Sequence, residues 1–171
     1  MLDLGPLIRD IPDFPKKGIL FKDITTLLKN PRAFKQSIDQ LTDLVRVHEP
    51  HVVIGMESRG FIFAAPIAYQ LDAGFVPVRK LGKLPGEVIS TEYDLEYGTN
   101  TLELHSDAIS TGDRVLIVDD LLATGGTVSA TIDLVQRLEG KVVAVAFLVE
   151  LTALKGRDRL QDYEVISLLK F

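Results

Sequence analysis

The sequence contains no cysteine and no tryptophan, and only three histidines among its 171 residues. The absence of cysteine excludes a disulfide framework, thiolate catalysis and cysteine-based zinc or iron–sulfur sites. Three scattered histidines do not favour a histidine-rich metal centre. No apolar run approaches the roughly 20 residues of a membrane-spanning helix. We therefore expect a single cytoplasmic domain spanning residues 1–171.

The charge balance is mildly acidic, with 19 basic and 24 acidic residues and a formal net charge of −5. An acidic chain does not favour a general nucleic-acid binder or a protein that binds anionic membranes. The first ten residues, MLDLGPLIRD, lack the basic and apolar segments of a secretory signal.

Two β-α-β units are predicted from runs of apolar residues. The first contains the strands 51–55 and 75–79 around the apolar helix FIFAAPIAYQLD. The second contains the strand VLIVDD over 115–120, the loop LLATGGT, a helix ended by Gly140, and the strand 141–150. Apolar strands separated by helices predict an α/β fold with a parallel sheet covered on both faces.

Two segments depart from this pattern. Residues 1–30 hold several Pro and Gly and little periodicity, which predicts a hood over one end of the sheet. Residues 79–105 begin with RKLGKLPGE, which predicts a loop, and continue into a two-stranded excursion with a turn at residues 98–100. No acid lies between Val76 and Gly86, so the cations of this loop, Arg79, Lys80 and Lys83, are expected to repel one another until an anion binds.

The strongest chemical motif is VLIVDDLLATGGTVSA, residues 115–130. A strand brings two carboxylates, Asp119 and Asp120, to its end, and a loop of small residues leads into a helix. Backbone N–H groups and the helix N-terminus would cradle a phosphate, while the carboxylates would accept hydrogen bonds from hydroxyls or approach a metal ion. A ribose 5-phosphate carries both groups. The alternative is a surface strand end with an ordinary turn; the patterns of a P-loop and of a dinucleotide fold are both missing.

This motif resembles the phosphoribosyl-pyrophosphate motif of the type I phosphoribosyltransferases. The segments DFPKKGILFKDIT, GMESRGFIFAAPIA, RKLGKLPG, YDLEYG and VELTALKGR resemble the adenine-using branch of that family, in the same order and at similar spacings. The resemblance covers essentially the full chain. It implies the type I fold, a central, mainly parallel β-sheet flanked by helices, with a small hood and a flexible lid loop.

The resemblance also implies a reaction and a site. The reaction is purine salvage, in which adenine and 5-phospho-α-D-ribose 1-diphosphate give AMP and diphosphate. Ribose and the 5′-phosphate are expected at Asp119, Asp120, Ala123, Thr124, Gly125, Gly126 and Thr127. The pyrophosphate is expected at Ser58, Arg59, Arg79, Lys80 and Lys83. Of these, Arg79, Lys80 and Lys83 belong to the lid.

The remaining assignments concern the base, the metal and the assembly. Adenine is expected at Leu20, Phe21, Lys22 and Tyr97. The catalytic residues implied are Glu96, Arg59 and Lys83. Mg²⁺ would bind mainly through the substrate, without a dedicated protein site. The family works as a homodimer, and the resemblance predicts a cis peptide bond between Glu57 and Ser58.

Two alternatives remain open from the sequence. The base could be hypoxanthine, guanine, xanthine or orotate, because the phosphate cradle does not select it. A regulator that senses phosphoribosyl pyrophosphate would need an added nucleic-acid-binding domain or a basic face; we expect no spare length for such a domain, and the chain is net acidic.

Overall fold

The computed structural model describes residues 1–94 and 99–171. The strands of the described chain are β1 (Arg9–Pro12), β2 (Leu20–Asp23), β3 (Val52–Met56), β4 (Gly74–Lys80), β5 (Val88–Asp94), β6 (Thr99–His105), β7 (Arg114–Leu122), β8 (Lys141–Glu150) and β9 (Val165–Lys170). The α-helices are α1 (Thr25–Lys29), α2 (Pro31–Val45), α3 (Gly60–Gln70) and α4 (Gly126–Arg137). Short 3₁₀ turns lie at Gly5–Leu7, Arg46–His48, Thr152–Leu154 and Gly156–Arg159.

The chain divides into two compact units, Met1–Gln40 and Leu41–Phe171. In the first unit, β1 and β2 form an antiparallel pair. The predicted hood, residues 1–30, lies within this unit, and the single-domain organisation stays a prediction. None of the described helices is long and apolar enough to cross a membrane.

The second unit is built on a seven-stranded sheet with the order β5-β6-β4-β3-β7-β8-β9. Strands β4, β3, β7, β8 and β9 are parallel, and β6 and β5 join antiparallel at the β4 edge. All five residues of β3 are buried, as expected for a parallel strand covered on both faces. The predicted α/β architecture with a mainly parallel sheet is confirmed.

Several predicted boundaries were wrong. Strand β7 continues through Leu121 and Leu122, which were expected in the loop, because they pair with Val149 and Glu150 of β8. Gly140 does not cap α4: Glu139 takes the left-handed conformation, with φ of 60°. Gly140 is needed for space instead, because a Cβ there would lie 2.9 Å from side chains of Ile109 and Val135.

The two-stranded excursion is present as β5 and β6, but it belongs to the main sheet. Lys80 was expected in the loop and Arg79 at the boundary between that loop and the strand 75–79; both lie in β4 because they pair with Leu102 and Glu103 of β6. Thr99, expected in the turn, already lies in β6 opposite Asp94.

Candidate active site

The sheet order places the candidate site at the carboxyl ends of β4, β3 and β7. Helix α3 connects β3 to β4, which is its neighbour in one direction along the sheet. Helix α4 connects β7 to β8, which is its neighbour in the opposite direction. Adjacent parallel strands whose connections run in opposite directions leave a crevice at their carboxyl ends, where α/β proteins bind ligands. The residues that follow these three strands therefore meet at one edge of the sheet.

The segment after β7 forms a cradle. Gly125 has φ of +83° and precedes the first residue of α4, so the turn requires a left-handed residue there. A cavity of about 60 Å³ lies at the helix N-terminus, room for about four water-sized groups. Its walls come from the following residues: Met56, Asp119, Leu121, Leu122, Ala123, Thr124, Gly125, Gly126, Thr127, Val128 and Phe147. All five residues of the predicted phosphate cradle therefore line one cavity.

The two carboxylates of the motif face different neighbours, because successive residues of a strand point to opposite faces. Asp119 lines the cavity, and its Oδ1 accepts a hydrogen bond of 2.8 Å from the backbone N–H of Asp120. Asp120 is buried, and its Oδ2 lies 2.8 Å from Nε of Arg59. The structure therefore brings Arg59 to the carboxylate pair.

Burial changes the acidity of both carboxyls. Desolvation, reinforced by the neighbouring charge of Asp120, raises the pKa of Asp119 well above its ordinary value. Desolvation also raises the pKa of Asp120, although the Arg59 guanidinium opposes this shift. Two poorly hydrated acceptors beside one guanidinium are suited to hydroxyl donors, such as those of a sugar.

The start of α3 approaches β7 closely because its first residue is Gly60. A Cβ at this position would lie 2.8 Å from Oδ1 of Asp119 and 2.9 Å from the carbonyl oxygen of Val118. The peptide bond between Glu57 and Ser58 is cis, as the resemblance predicted. Ser58 is exposed at this edge of the sheet.

The predicted cation cluster is organised by an acid that follows the neighbouring strand, β3. Oε2 of Glu57 lies 3.3 Å from Nε of Arg79 and accepts a 2.9 Å hydrogen bond from the backbone N–H of Lys80. The expectation of three mutually repelling cations was therefore wrong for Arg79. The expectation rested on a sequence window without acids, whereas Glu57 follows β3, the neighbour of β4 in the sheet.

The remainder of the predicted lid, residues 81–86, is exposed except for the partly buried Leu84. Lys83 is exposed, and its carbonyl oxygen accepts a hydrogen bond of 3.1 Å from Nη1 of Arg79. The backbone N–H of Gly82 donates to Oε2 of Glu103 on β6 at 2.9 Å. The movement of the lid remains a prediction.

The predicted adenine residues Leu20, Phe21 and Lys22 lie on β2 in the first unit. Leu20 is half exposed. Phe21 packs edge-to-face against Phe14, with 5.1 Å between ring centroids. Nζ of Lys22 lies 2.6 Å from a carboxylate oxygen of Asp10. Glu96 and Tyr97 lie outside the described residues, so their roles stay predictions.

Sequence reasoning missed the support behind the cradle. A Cβ on Gly156 would lie 2.3 Å from the carbonyl oxygen of Ala123, and one on Gly125 would lie 2.7 Å from that of Gly156. The next residue, Arg157, donates to both oxygens of the buried Glu150 at 2.7 Å. The segment VELTALKGR carried the resemblance, but nothing in its letters indicated contact with residues 123–125.

The carboxylates of the motif also bear on metal binding. Within residues 1–94 and 99–171, no three His, Asp or Glu side chains cluster in a way that could hold a metal ion. The partly exposed Asp119 is a hard oxygen donor of the kind that Mg²⁺ accepts, so it fits an ion that arrives with a substrate.

Comparison with known proteins identifies the family. Residues 23–170 match the family described as phosphoribosyl transferase domain. The chain is 56% identical over 170 residues to an adenine phosphoribosyltransferase of Synechococcus sp., covering 99% of both chains. It is 55% identical to the crystal structure of the Thermoanaerobacter pseudethanolicus enzyme of that name, with a TM-score of 0.96 over 98% of both chains. The chain belongs to the adenine phosphoribosyltransferase family.

A structure with bound molecules is also similar. The adenine phosphoribosyltransferase of Saccharomyces cerevisiae, solved with an imino-altritol bisphosphate and adenine, is 41% identical, with a TM-score of 0.90 over 96% of both chains. Family membership confirms the predicted fold class, in which a mainly parallel sheet is flanked by helices.

Proposed function

We propose that this chain catalyses the reaction of its family, transferring the 5-phosphoribosyl group from phosphoribosyl pyrophosphate to adenine to give AMP and pyrophosphate. A ring nitrogen of adenine forms a bond to C1 of the ribose and loses its proton to a base, while the bond from C1 to the pyrophosphate oxygen breaks and pyrophosphate leaves. The observation that carries the proposal is the cavity of about 60 Å³ shared by Asp119 and residues 123–127. It places a helix N-terminus and a loop of small residues, suited to a phosphate, beside the carboxylate of Asp119, suited to a sugar hydroxyl.

In this proposal the cradle, Ala123 to Thr127, binds the 5′-phosphate. Asp119 and Asp120 accept hydrogen bonds from the ribose hydroxyls, supported by the ion pair of Asp120 with Arg59. Fixing the sugar in this way holds C1 at a constant position relative to both the base and the leaving group.

The leaving pyrophosphate is assigned to Ser58, Arg59, Arg79, Lys80 and Lys83. Cations directed at a departing anion stabilise the charge that develops as the bond breaks. Lys83 would act from a lid that closes over the site and excludes water, which would otherwise attack the ribosyl cation. Mg²⁺ is proposed as the ion that enters with the substrate and neutralises pyrophosphate charge.

The base is assigned to Leu20, Phe21, Lys22 and Tyr97, and Glu96 to the catalytic carboxylate that faces it. Support comes from similar proteins: the Saccharomyces cerevisiae structure is described as a complex with adenine, and a Giardia lamblia relative, 38% identical, as a complex with 9-deazaadenine. We also propose that the protein is cytoplasmic and forms a homodimer; the exposed side chains of Tyr69 on α3 and Phe75 on β4 support the dimer.

A panel of bases tests the proposed activity. The purified chain is incubated with phosphoribosyl pyrophosphate, Mg²⁺ and one of adenine, hypoxanthine, guanine, xanthine or orotate, and nucleotide formation is measured by chromatography. We expect rapid AMP formation and little product from the other bases. Nucleotide formed preferentially from another base would change the substrate, and no nucleotide from any base would contradict the proposal.

A further inference from the structure

Arg79 is already bound by another residue of this chain. Besides the 3.3 Å contact between its Nε and Oε2 of Glu57, its Nη2 lies 3.4 Å from Oε1 of the same carboxylate. These distances exceed the 2.7–2.9 Å usual for strong charge-assisted hydrogen bonds. The guanidinium is therefore held in place loosely, in a position where one third of the side chain is exposed.

Glu57 is held more firmly than its partner. Its backbone N–H donates to the carbonyl oxygen of Val78 at 2.9 Å, and its carboxylate accepts the 2.9 Å hydrogen bond from Lys80. The hydrogen bond from the backbone N–H of Lys80, together with the guanidinium of Arg79, lowers the pKa of Glu57. A fixed, charged carboxylate thus lies directly before Ser58 and Arg59, which are assigned to the pyrophosphate.

The two arginines of the site differ in how easily an anion can displace their partners. The pair between Arg59 and Asp120 has a contact of 2.8 Å, and Asp120 is only 5% exposed. The pair between Arg79 and Glu57 is longer, at 3.3 Å, and its carboxylate is more exposed than that of Asp120, whereas the two arginine side chains are about equally exposed. A pyrophosphate with several negative charges would therefore compete for Arg79 far more readily than for Arg59.

We propose that Glu57 is a positioning residue that competes with pyrophosphate for Arg79. It holds the guanidinium at the site when no anion is bound, yields it to the incoming pyrophosphate group, and takes it back as the product leaves. Glu57 thereby weakens pyrophosphate binding and promotes its release. The inference rests on the proposed function, because that function assigns Arg79 to the pyrophosphate.

The test measures the dissociation constant of magnesium pyrophosphate by calorimetry in four proteins: wild type, Glu57→Gln, Arg79→Ala and the double variant. Glutamine keeps an acceptor for the Lys80 amide but removes the charge. We expect Glu57→Gln to tighten pyrophosphate binding about three- to fivefold, the scale of one partly exposed ion pair. The KM for phosphoribosyl pyrophosphate should fall by a similar factor, whereas a merely structural role would raise it.

The double variant separates two explanations. If Glu57 acts through Arg79, Glu57→Gln has no effect on the dissociation constant in the Arg79→Ala background. Equal tightening in both backgrounds would overturn the inference, because it would assign the effect to direct repulsion of the anion. Glu139→Gln is the matched control. It removes one carboxylate between α4 and β8, at the amino end of β8 and away from the carboxyl ends that form the site, and should leave pyrophosphate affinity unchanged.

The remaining outcomes distinguish the two claims. Wild-type protein that binds no pyrophosphate contradicts the proposed function together with this inference. Wild-type protein that binds it, with unchanged or weaker binding in Glu57→Gln, contradicts this inference alone. If Glu57→Gln does not fold, Glu57→Asp serves instead: its side chain is one methylene shorter, which should weaken the already long contact with Arg79. About twofold tighter binding is then expected, and unchanged binding overturns the inference.

Discussion

At the scale of a single residue, Asp119 combines a charged side chain with a poorly hydrated position. Its raised pKa means that the folded protein holds the carboxyl proton more tightly than the unfolded chain does. The stability contributed by this group is therefore complete below the unfolded pKa of about 3.9 and falls as the pH rises through the folded pKa. A neutral residue at position 119 would not lose stability in this way as the pH rises.

We predict that Asp119→Asn stabilises the protein in the absence of substrate. Asparagine keeps the acceptor for the Asp120 amide, and removing a poorly hydrated charge beside the Asp120 carboxylate should raise the unfolding free energy at pH 7 by about 1 kcal/mol. That corresponds to about 2–4 °C in Tm for a chain of this size. Thermal melts at pH 7 and pH 4 test this, because the advantage should shrink at the lower pH.

The control is Asp133→Asn, which removes a half-exposed carboxylate on α4 that lies 3.7 Å from Arg137. Its Tm should change little at either pH, since exposed ion pairs contribute little. A lower Tm for Asp119→Asn at pH 7, or a gain independent of pH, would contradict the account of Asp119.

At the scale of elements, the phosphate cradle depends on the segment that follows β8. Gly156→Ala would place a Cβ 2.3 Å from the carbonyl oxygen of Ala123. We expect this variant to lose about 1–3 kcal/mol of stability, the usual cost of overpacking, and to raise the KM for phosphoribosyl pyrophosphate at least about tenfold, because the cradle must shift by more than its binding geometry tolerates.

Gly74→Ala provides the matched comparison. The nearest atom to its Cβ would be the carbonyl oxygen of His51 at 3.7 Å, an ordinary contact. Its stability and KM, measured by chemical denaturation and initial rates, should stay close to wild type. A Gly156→Ala protein with the same KM as Gly74→Ala would show that the cradle does not depend on its contact with Gly156.

The same contact shows which parts of the structure could be predicted from sequence. The strand 141–150 and the cradle 123–127 follow from local patterns, an apolar run and small residues before a helix, so their prediction agrees with the structure. The contact of Gly156 with Ala123 and the pair between Glu57 and Arg79 join residues far apart in the chain. No local window contains them, because the pairing of distant strands creates them.

At the scale of the whole molecule, the apolar surface of α3 and β4 bears on assembly. Gly60, Phe63, Ala64, Ile67 and Ala68 of α3 are buried, whereas Tyr69 is 84% exposed. Phe75 of β4 is 38% exposed and packs edge-to-face on Phe61. A helix whose exposed side is also apolar is suited to burial against a second copy.

We predict a homodimer of two 18.9 kDa chains, measured by light scattering at micromolar concentration. Tyr69→Asp should weaken the dimer by burying a charge, and Leu44→Asp, an equally drastic change at a half-exposed position on α2, should not. A monomeric mass for the wild type would contradict the dimer. Equal dissociation by both variants would contradict the assignment to this surface.

The central claim is that the carboxylates at the end of β7 bind the ribose of phosphoribosyl pyrophosphate. The most direct measurement is kcat/KM for this substrate in the Asp119→Asn, Asp120→Asn double variant, with circular dichroism and Tm to establish that it folds. Charged hydrogen bonds are worth about 1.5–3 kcal/mol each, so we predict a loss of at least about 100-fold. A folded double variant with wild-type kcat/KM would contradict the claim.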